Sequence, residues 1–375
     1  MKRPIAVLLA ATLTLSTLAA STLALAGCTS GGSGASGSLD GGASSAGDSS
    51  TDSSTGGSIT VVTTIFPLYD WCREIVGDTD GIDIAMLLDT GTDLHSYQPT
   101  VDDMASISEC DLFMFVGGES DSWTIDAIAS AGETGRVDLS MMDVLADDVL
   151  TEEEAGGMQS EDADTDAAAD EDAAAADDAD ATEDAAAADN AAADDDDEAD
   201  EHVWLSLANA QVLCSAIADA LGEVDPGNAD TYASNAEAYC AELRDLDSRY
   251  AETVEAADID TLVFCDRFPF RYLVDDYGLS YYAAFSGCSA ETEASFETVA
   301  YLAERVDELS LSHVVTIEGS DASIADTVIA STESQDAEVV ELDSMQSVTA
   351  ADVDVGATYL DTMERNLDAL AEALS

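Results

Sequence analysis

Short strand-like runs, the first of them β-branched, alternate with stretches of helical period along most of this chain, and that alternation restricts the fold more than any other feature. The first part reads strand Ile59 to Phe66, helix Leu68 to Val76, strand Ile82 to Leu88, helix Thr100 to Ser108 and strand Leu112 to Val116. Two long helical stretches come later, Leu207 to Gly222 and Ala229 to Glu255. The second is about 40 Å long at 1.5 Å per residue. Alternation then resumes: strand Thr261 to Phe264, helix Phe270 to Tyr277, strand Leu279 to Phe285, helix Ser295 to Leu309 and strand His313 to Ile317. Helix Ala322 to Ser331, strand Glu338 to Leu342 and a closing helix Gly356 to Leu374 complete it. Strands that alternate with helices pair in parallel. The expected class is therefore α/β: two lobes, each with a mostly parallel sheet flanked by helices, joined by a long rigid helix. Open sheets of this kind bind ligands at the carboxyl ends of their strands, so two facing lobes make a cleft.

An acidic block interrupts the alternation. Asp147 to Glu201 carries 25 of the chain's 80 Asp and Glu residues and no Lys, Arg or His. Runs such as Asp194 to Glu198 repel themselves, so a solvated, disordered loop is expected. It is either a tolerated surface insertion or, because clustered carboxylates suit hard divalent cations, a weak cation collector beside a metal site. Only 10 Lys and Arg oppose the acids, for a net charge of -70, which excludes a nucleic-acid partner. An apolar content of 46% still suffices for a core.

Residues 1–28 read as an export signal, with Lys2 and Arg3 ahead of an apolar run from Ile5 to Leu25. The closing Leu25-Ala26-Gly27-Cys28 resembles a bacterial lipobox, in which the Cys is acylated. A retained membrane-spanning anchor is the alternative, but no apolar residues follow Cys28. The expected location is extracytoplasmic, held to the membrane by lipid on Cys28. The domain order follows: 1–28 signal, 29–57 Gly/Ser tether, 58–146 N-terminal lobe, 147–201 acidic insertion, 202–258 helical region with the linker helix, and 259–375 C-terminal lobe. Six cysteines remain beyond Cys28, an even number that suggests disulfides in an exported protein. Cys214 and Cys240 lie almost equally far from the turn Asp225-Pro226-Gly227-Asn228 and are the candidate pair. Cys265 and Cys288 each fall just after an expected strand, and Cys72 and Cys110 are left over.

The chain has three His. His95 follows a strand through Asp89-Thr90-Gly91-Thr92-Asp93-Leu94, a ligand's position at a carboxyl end. His202 stands where the acidic block meets a helix start. No short His-x-x-x-His or Cys-x-x-Cys pattern supports either one, so by spacing alone each also fits a surface or capping His. His313 opens an apolar strand and reads as a satisfied core or edge His. No Gly-x-Ser-x-Gly, Walker, His-Glu-x-x-His or dinucleotide-binding pattern is present.

Val61-Val62-Thr63-Thr64-Ile65-Phe66-Pro67-Leu68-Tyr69-Asp70-Trp71, Asp93-Leu94-His95-Ser96-Tyr97-Gln98-Pro99-Thr100, His202-Val203-Trp204-Leu205 and Asp266-Arg267-Phe268-Pro269-Phe270-Arg271-Tyr272 together resemble the solute-binding lipoproteins of zinc and manganese ABC importers. The resemblance covers Ile59 to Ser375 apart from the acidic block. It implies a metal held between two lobes, with His95 and His202 as ligands and Asp343 as the carboxylate ligand from the last strand. The remaining ligand of the family falls at Arg267, and a permanently protonated guanidinium cannot ligate a cation. Asp266, Cys265 and Glu293 are the nearest substitutes. For Asp266 the alternative is a salt bridge to Arg267, and for Glu293 a helix N-terminal charge.

The resemblance thus implies a non-enzymatic, lipid-anchored receptor that captures Zn²⁺, or alternatively Mn²⁺, and passes it to an ABC transporter permease. The readings from other classes are a surface adhesin that keeps the fold and a metallo-hydrolase with an open coordination position.

Overall fold

The structure, a computed structural model, describes residues 58–132, 135–153, 155–159, 198–289 and 293–375. Cys28, the tether and residues 160–197 of the acidic block lie outside the described residues. The first lobe runs β1 (Ile59–Thr63), α1 (Phe66–Val76), β2 (Ile82–Met86), α2 (Val101–Glu109), β3 (Leu112–Phe115), α3 (Trp123–Ala131), β4 (Val137–Ser140) and α4 (Met141–Leu145). Its four strands pair in parallel in the order β2-β1-β3-β4. Helices α5 (Leu207–Val224) and α6 (Ala229–Ala256) lead to the second lobe. That lobe comprises β5 (Thr261–Phe268), α7 (Arg271–Tyr277), β6 (Ser280–Ser286), α8 (Phe296–Leu309), β7 (His313–Ile317), α9 (Ser323–Ser331), β8 (Glu338–Leu342), α10 (Ala350–Asp354) and α11 (Tyr359–Ala373). Its order, β6-β5-β7-β8, repeats the first, again all parallel.

Local sequence sets these elements. Ile65 is extended, Pro67 fits the first helical turn, and Gly77 at φ +55° stops α1. Between them Leu68, Trp71, Cys72 and Ile75 fall on one helical face and are buried. Thr100 and Asp103 form a capping box that starts α2 at the end of the loop carrying His95. Elements α3, β4 and α4 went unanticipated, because a strand as short as Val137-Asp138-Leu139-Ser140 is too brief to display a period of two.

Helix α6 backs both lobes. Asn235 donates to the Ile75 carbonyl of the first lobe at 2.9 Å, while the Tyr250 hydroxyl donates to the Met363 carbonyl of the second at 2.7 Å. Tyr359 of α11 then ties the lobes directly. Its N–H donates to Asp70 (2.7 Å), its ring meets Trp71 edge-on at 4.9 Å, and its hydroxyl donates to the Trp204 carbonyl (2.7 Å). Trp71, Trp204 and Tyr359 are buried in one continuous core drawn from both lobes. Truncating Trp71 to Ala should cost about 3–5 kcal/mol.

Two expectations need correction. The acidic insertion is not a free loop from Asp147 to Glu201: Thr151 bridges Ala199, and the Gln159 N–H donates to the Ala284 carbonyl of β6 at 3.0 Å. Apolar Val149, Leu150 and Met158 pack against the core, so the ends of the block belong to the fold despite their charge. Cys214 and Cys240 do face one another across α5 and α6, but as free thiols. Cys240 donates to the Gln211 carbonyl at 3.4 Å, and a hydrogen bond with Cys214 brings its pKa down to about 7. Among the described residues no helix is long and apolar enough to cross a membrane.

Candidate metal centre

Loops at the carboxyl ends of both sheets converge where the lobes meet, as expected for open parallel sheets. His95 comes from the loop after β2, within a 3₁₀ turn (Leu94–Ser96) capped by Asp93, whose carboxylate accepts the His95 N–H at 2.9 Å. The His95 Nδ1 lies 2.6 Å from the Ser120 hydroxyl, in the loop after β3. His202 follows the returning limb of the acidic block and is completely buried. Asp200 accepts from both its backbone N–H (2.8 Å) and its Nδ1 (3.0 Å). An ionised carboxylate only accepts, so His202 is protonated on Nδ1 and its Nε2 carries the lone pair.

The two Nε2 atoms stand 3.2 Å apart. Two imidazole nitrogens bound to one tetrahedral Zn²⁺ at ~2.05 Å would be separated by about 3.3 Å. The third donor in reach is Cys288, in the turn after β6; suitable atoms of His95, His202 and Cys288 all lie within 4.8 Å of one another. Gly287 makes this approach possible. A Cβ there would stand 2.8 Å from the Phe268 carbonyl and 2.9 Å from the His202 ring. Glu152, on the outgoing limb of the acidic block, accepts the Cys288 N–H at 3.2 Å.

Charge gathers round this group. Glu201 accepts the Ser120 N–H at 2.8 Å through Oε1, and its buried Oε2 has no hydrogen-bond partner and lies 3.9 Å from His95 Nδ1. Burial, and next the neighbouring His202, push the His95 pKa down to about 4. For His202, burial acts in the same sense, but the charge and hydrogen bond of Asp200 outweigh it and hold the pKa above its ordinary value. A proton added to the neutral pair therefore enters at His202 before His95.

Arg267 sits at the end of β5, past a register shift against β6 between Phe264 and Arg267. Its guanidinium pairs with Asp93 across the cleft at 2.9 Å. Asp266 instead accepts the Arg267 backbone N–H at 2.9 Å, so the expected Asp266–Arg267 salt bridge is replaced by one between lobes. A cleft of about 510 Å³, lined by Asp93, Ser96, Asp266, Arg267 and Glu318 among others, opens beside this pair.

Of the residues singled out in the sequence, His95 and His202 meet, whereas Asp343, Asp266 and Glu293 are not in the group. Asp343 is engaged elsewhere: it accepts the Met345 N–H at 2.8 Å, lies 3.6 Å from Arg365, and its own N–H is held by Asn366. Cys265 is buried in the core beneath the second sheet, and Glu293 is exposed. Glu318, not foreseen, takes the loop after β8 through Ser344 and Gln346, and burial raises its pKa to about 7. Cys288 was also missed as a donor, although its place after a strand is the same signal that marked His95. His313 faces Glu338 and Glu372 in a second, more exposed group at the other end of β7.

Two like parallel α/β lobes on a shared helix, with metal-donor side chains at their junction, define a two-lobed solute-binding protein. The chain belongs to the ZnuA family, described as zinc-uptake complex component A, periplasmic, whose model matches residues 61–373. It is 27% identical over 318 residues to the zinc-binding lipoprotein AdcA of Streptococcus pneumoniae, covering 84% of this chain. It spans just over half, 56%, of the length of that relative. To the high-affinity zinc uptake system protein ZnuA of Bacillus subtilis it is 29% identical over 321 residues, 86% of this chain and 89% of that one. The crystal structure of the metal-dependent lipoprotein YcdH from Bacillus subtilis superposes with a TM-score of 0.64 at 25% identity, covering 84% of this chain and 99% of that chain.

Proposed function

We propose that this chain is the extracytoplasmic receptor of an ABC importer, which takes Zn²⁺ as cargo in the cleft between its lobes and hands it to a permease. The observation that carries this reading is the His95–His202 pair, whose Nε2 atoms are spaced as two ligands of one tetrahedral cation while both Nδ1 atoms are already held. Relatives named for zinc binding and zinc uptake support the choice of cargo. The chain acts as a receptor and not as an enzyme: its task in this reading is to bind and release, and Zn²⁺ stands above Mn²⁺ in the order of divalent affinities. Acylated Cys28 anchors it to the outer face of the membrane.

Competition titration of Zn²⁺ and Mn²⁺ on the full chain and on His95→Ala and His202→Ala tests this. Wild type should bind Zn²⁺ more tightly than Mn²⁺, and each variant should lose tight binding of both. Two variants that bind Zn²⁺ as tightly as wild type would overturn the reading. Intact mass of the membrane-derived protein should show the acyl groups on Cys28.

A further inference from the structure

We propose that Cys288 is a thiolate ligand of this site, standing in for the donor lost at position 267, and that it biases the receptor toward soft and borderline cations such as Zn²⁺ and Cd²⁺ and against Mn²⁺. The inference rests on the metal-receptor reading above and names the third donor and the selectivity it confers.

Three observations carry it. Arg267 is committed elsewhere: it neutralises Asp93 across the cleft at 2.9 Å, and that same Asp93 fixes the loop of His95. The position on β5 thus serves as an interlobe tie and not as a donor. Cys288 is the one remaining described side chain with a donor atom grouped with both His95 and His202. The turn that bears it is built for this approach, because Gly287 packs against the His202 ring where no larger residue fits and Glu152 holds the Cys288 N–H.

The chemistry follows from the donor set. Binding forms one metal–sulfur and two metal–nitrogen bonds; the thiol releases its proton to solvent, so the complex carries one positive charge from a divalent ion. Asp200 and Glu201, both buried behind the imidazoles, lie close to balance it. In the metal-free protein burial, and then Glu152, Glu201 and Asp200, push the Cys288 thiol pKa up, so the arriving cation must displace that proton. A thiolate suits Zn²⁺ and Cd²⁺, whereas Mn²⁺ prefers carboxylate and water oxygens. A His₂Cys set therefore discriminates by softness in a way that two His and two carboxylates would not.

Co²⁺ is the probe, since a thiolate ligand gives it an intense near-ultraviolet charge-transfer absorption that His and carboxylate ligands do not. The full chain, kept reduced, should develop this band with one equivalent of Co²⁺ and lose it on adding Zn²⁺. Cys288→Ser should lack the band and bind Zn²⁺ more weakly by about 100-fold or more, beyond the 10–100-fold typical of residues that merely support a ligand. Cys288→Asp should bring the Zn²⁺ and Mn²⁺ affinities closer together. A wild-type Co²⁺ complex without the band, or Cys288→Ser with Zn²⁺ affinity within a few-fold of wild type, would overturn the thiolate ligand and leave the receptor reading standing. Failure of wild type to bind any of these ions would overturn the receptor reading itself. The wild-type spectrum needs no variant, so it remains decisive even if Cys288→Ser folds poorly.

Discussion

Asp200 accepts hydrogen bonds from both the backbone N–H and the Nδ1 of His202, at 2.8 and 3.0 Å. One carboxylate thus fixes the position of the ring, its tautomer and the direction of its lone pair toward His95. Asp200→Asn keeps the shape but replaces an obligatory acceptor with a group that can also donate. Zn²⁺ affinity should fall by about 10–100-fold, the range for partners that orient a metal-bound His. Ser120→Ala, which loosens His95, should act in the same direction. Isothermal titration of both variants checks this, and unchanged affinity in Asp200→Asn would mean that His202 is oriented by packing alone.

The acidic block can be cut in two places with opposite expected results. Replacing residues 160–197 by a short Gly/Ser linker leaves the Thr151–Ala199 bridge, Glu152, Asp200 and Glu201 in the chain. Tight Zn²⁺ binding should survive, with loss only of weak, salt-sensitive extra ions. Removing the whole run 147–201 deletes the partner of the Cys288 N–H together with the carboxylates behind both His residues. That chain should lose tight binding, and equal affinities for the two deletions would show that the limbs do not build the site.

Much of this was legible in the sequence for a physical reason. Strands of helix-covered parallel sheets read as short runs rich in apolar residues, so seven of the eight announce themselves, and β4 is missed because Val137-Asp138-Leu139-Ser140 is neither an apolar run nor long enough to show a period. His95 could be placed because a strand and a Gly-containing turn precede it. The pairing of residues such as Arg267 with Asp93 was hidden, since ion pairs across a cleft depend on the docking of two lobes and leave no local pattern. Cys288 went unassigned for the same reason. Its partners lie far away in sequence, and a lone cysteine after a strand fits a disulfide equally well. Composition misled at the block's ends, where Asp200 and Glu201 look like more of the solvated run yet are 2% exposed.

Gly287→Ala probes the packing of the Cys288 turn. Its Cβ would need the Phe268 carbonyl or the His202 ring to move, because both lie under 3.0 Å away. Overpacking of this kind costs about 1–3 kcal/mol, and the displaced turn should weaken Zn²⁺ binding by about tenfold or more. Gly278→Ala is the control. It strains a left-handed residue at φ +67° in open space, so it should lower stability without touching affinity. If both variants keep wild-type affinity, the Gly287 contact does not position the site.

Acid should stabilise the metal-free protein while it weakens metal binding. Burial raises the pKa of Asp70 to about 6, and of Asp121 and Glu318 to about 7, against ordinary values of 3.8 for Asp and 4.5 for Glu. A carboxyl whose folded pKa is raised binds its proton more tightly in the folded chain, so stability falls as pH rises from the unfolded value through the folded one. Between pH 8 and pH 5 these three groups therefore add stability as the solution is acidified. Carboxylates held low by hydrogen bonds, such as Asp225 and Asp352, lose their contribution only near and below the ordinary Asp value, outside that window. His95 and His202 shift in opposite senses, so their contributions oppose one another. Relief of the surface charge acts in the same direction as the buried carboxyls but is screened by salt, whereas burial is not. Urea unfolding of the metal-free chain in high salt should accordingly give a higher midpoint at pH 5 than at pH 8, and Asp121→Asn should flatten the dependence even though its amide can accept only one of the two hydrogen bonds from Val116 and Gly117. Zn²⁺ affinity should move the other way, since its ligands must shed protons to bind. A midpoint that is flat or falls on acidification in high salt would mean that these buried carboxyls do not carry the raised pKa values that their surroundings impose.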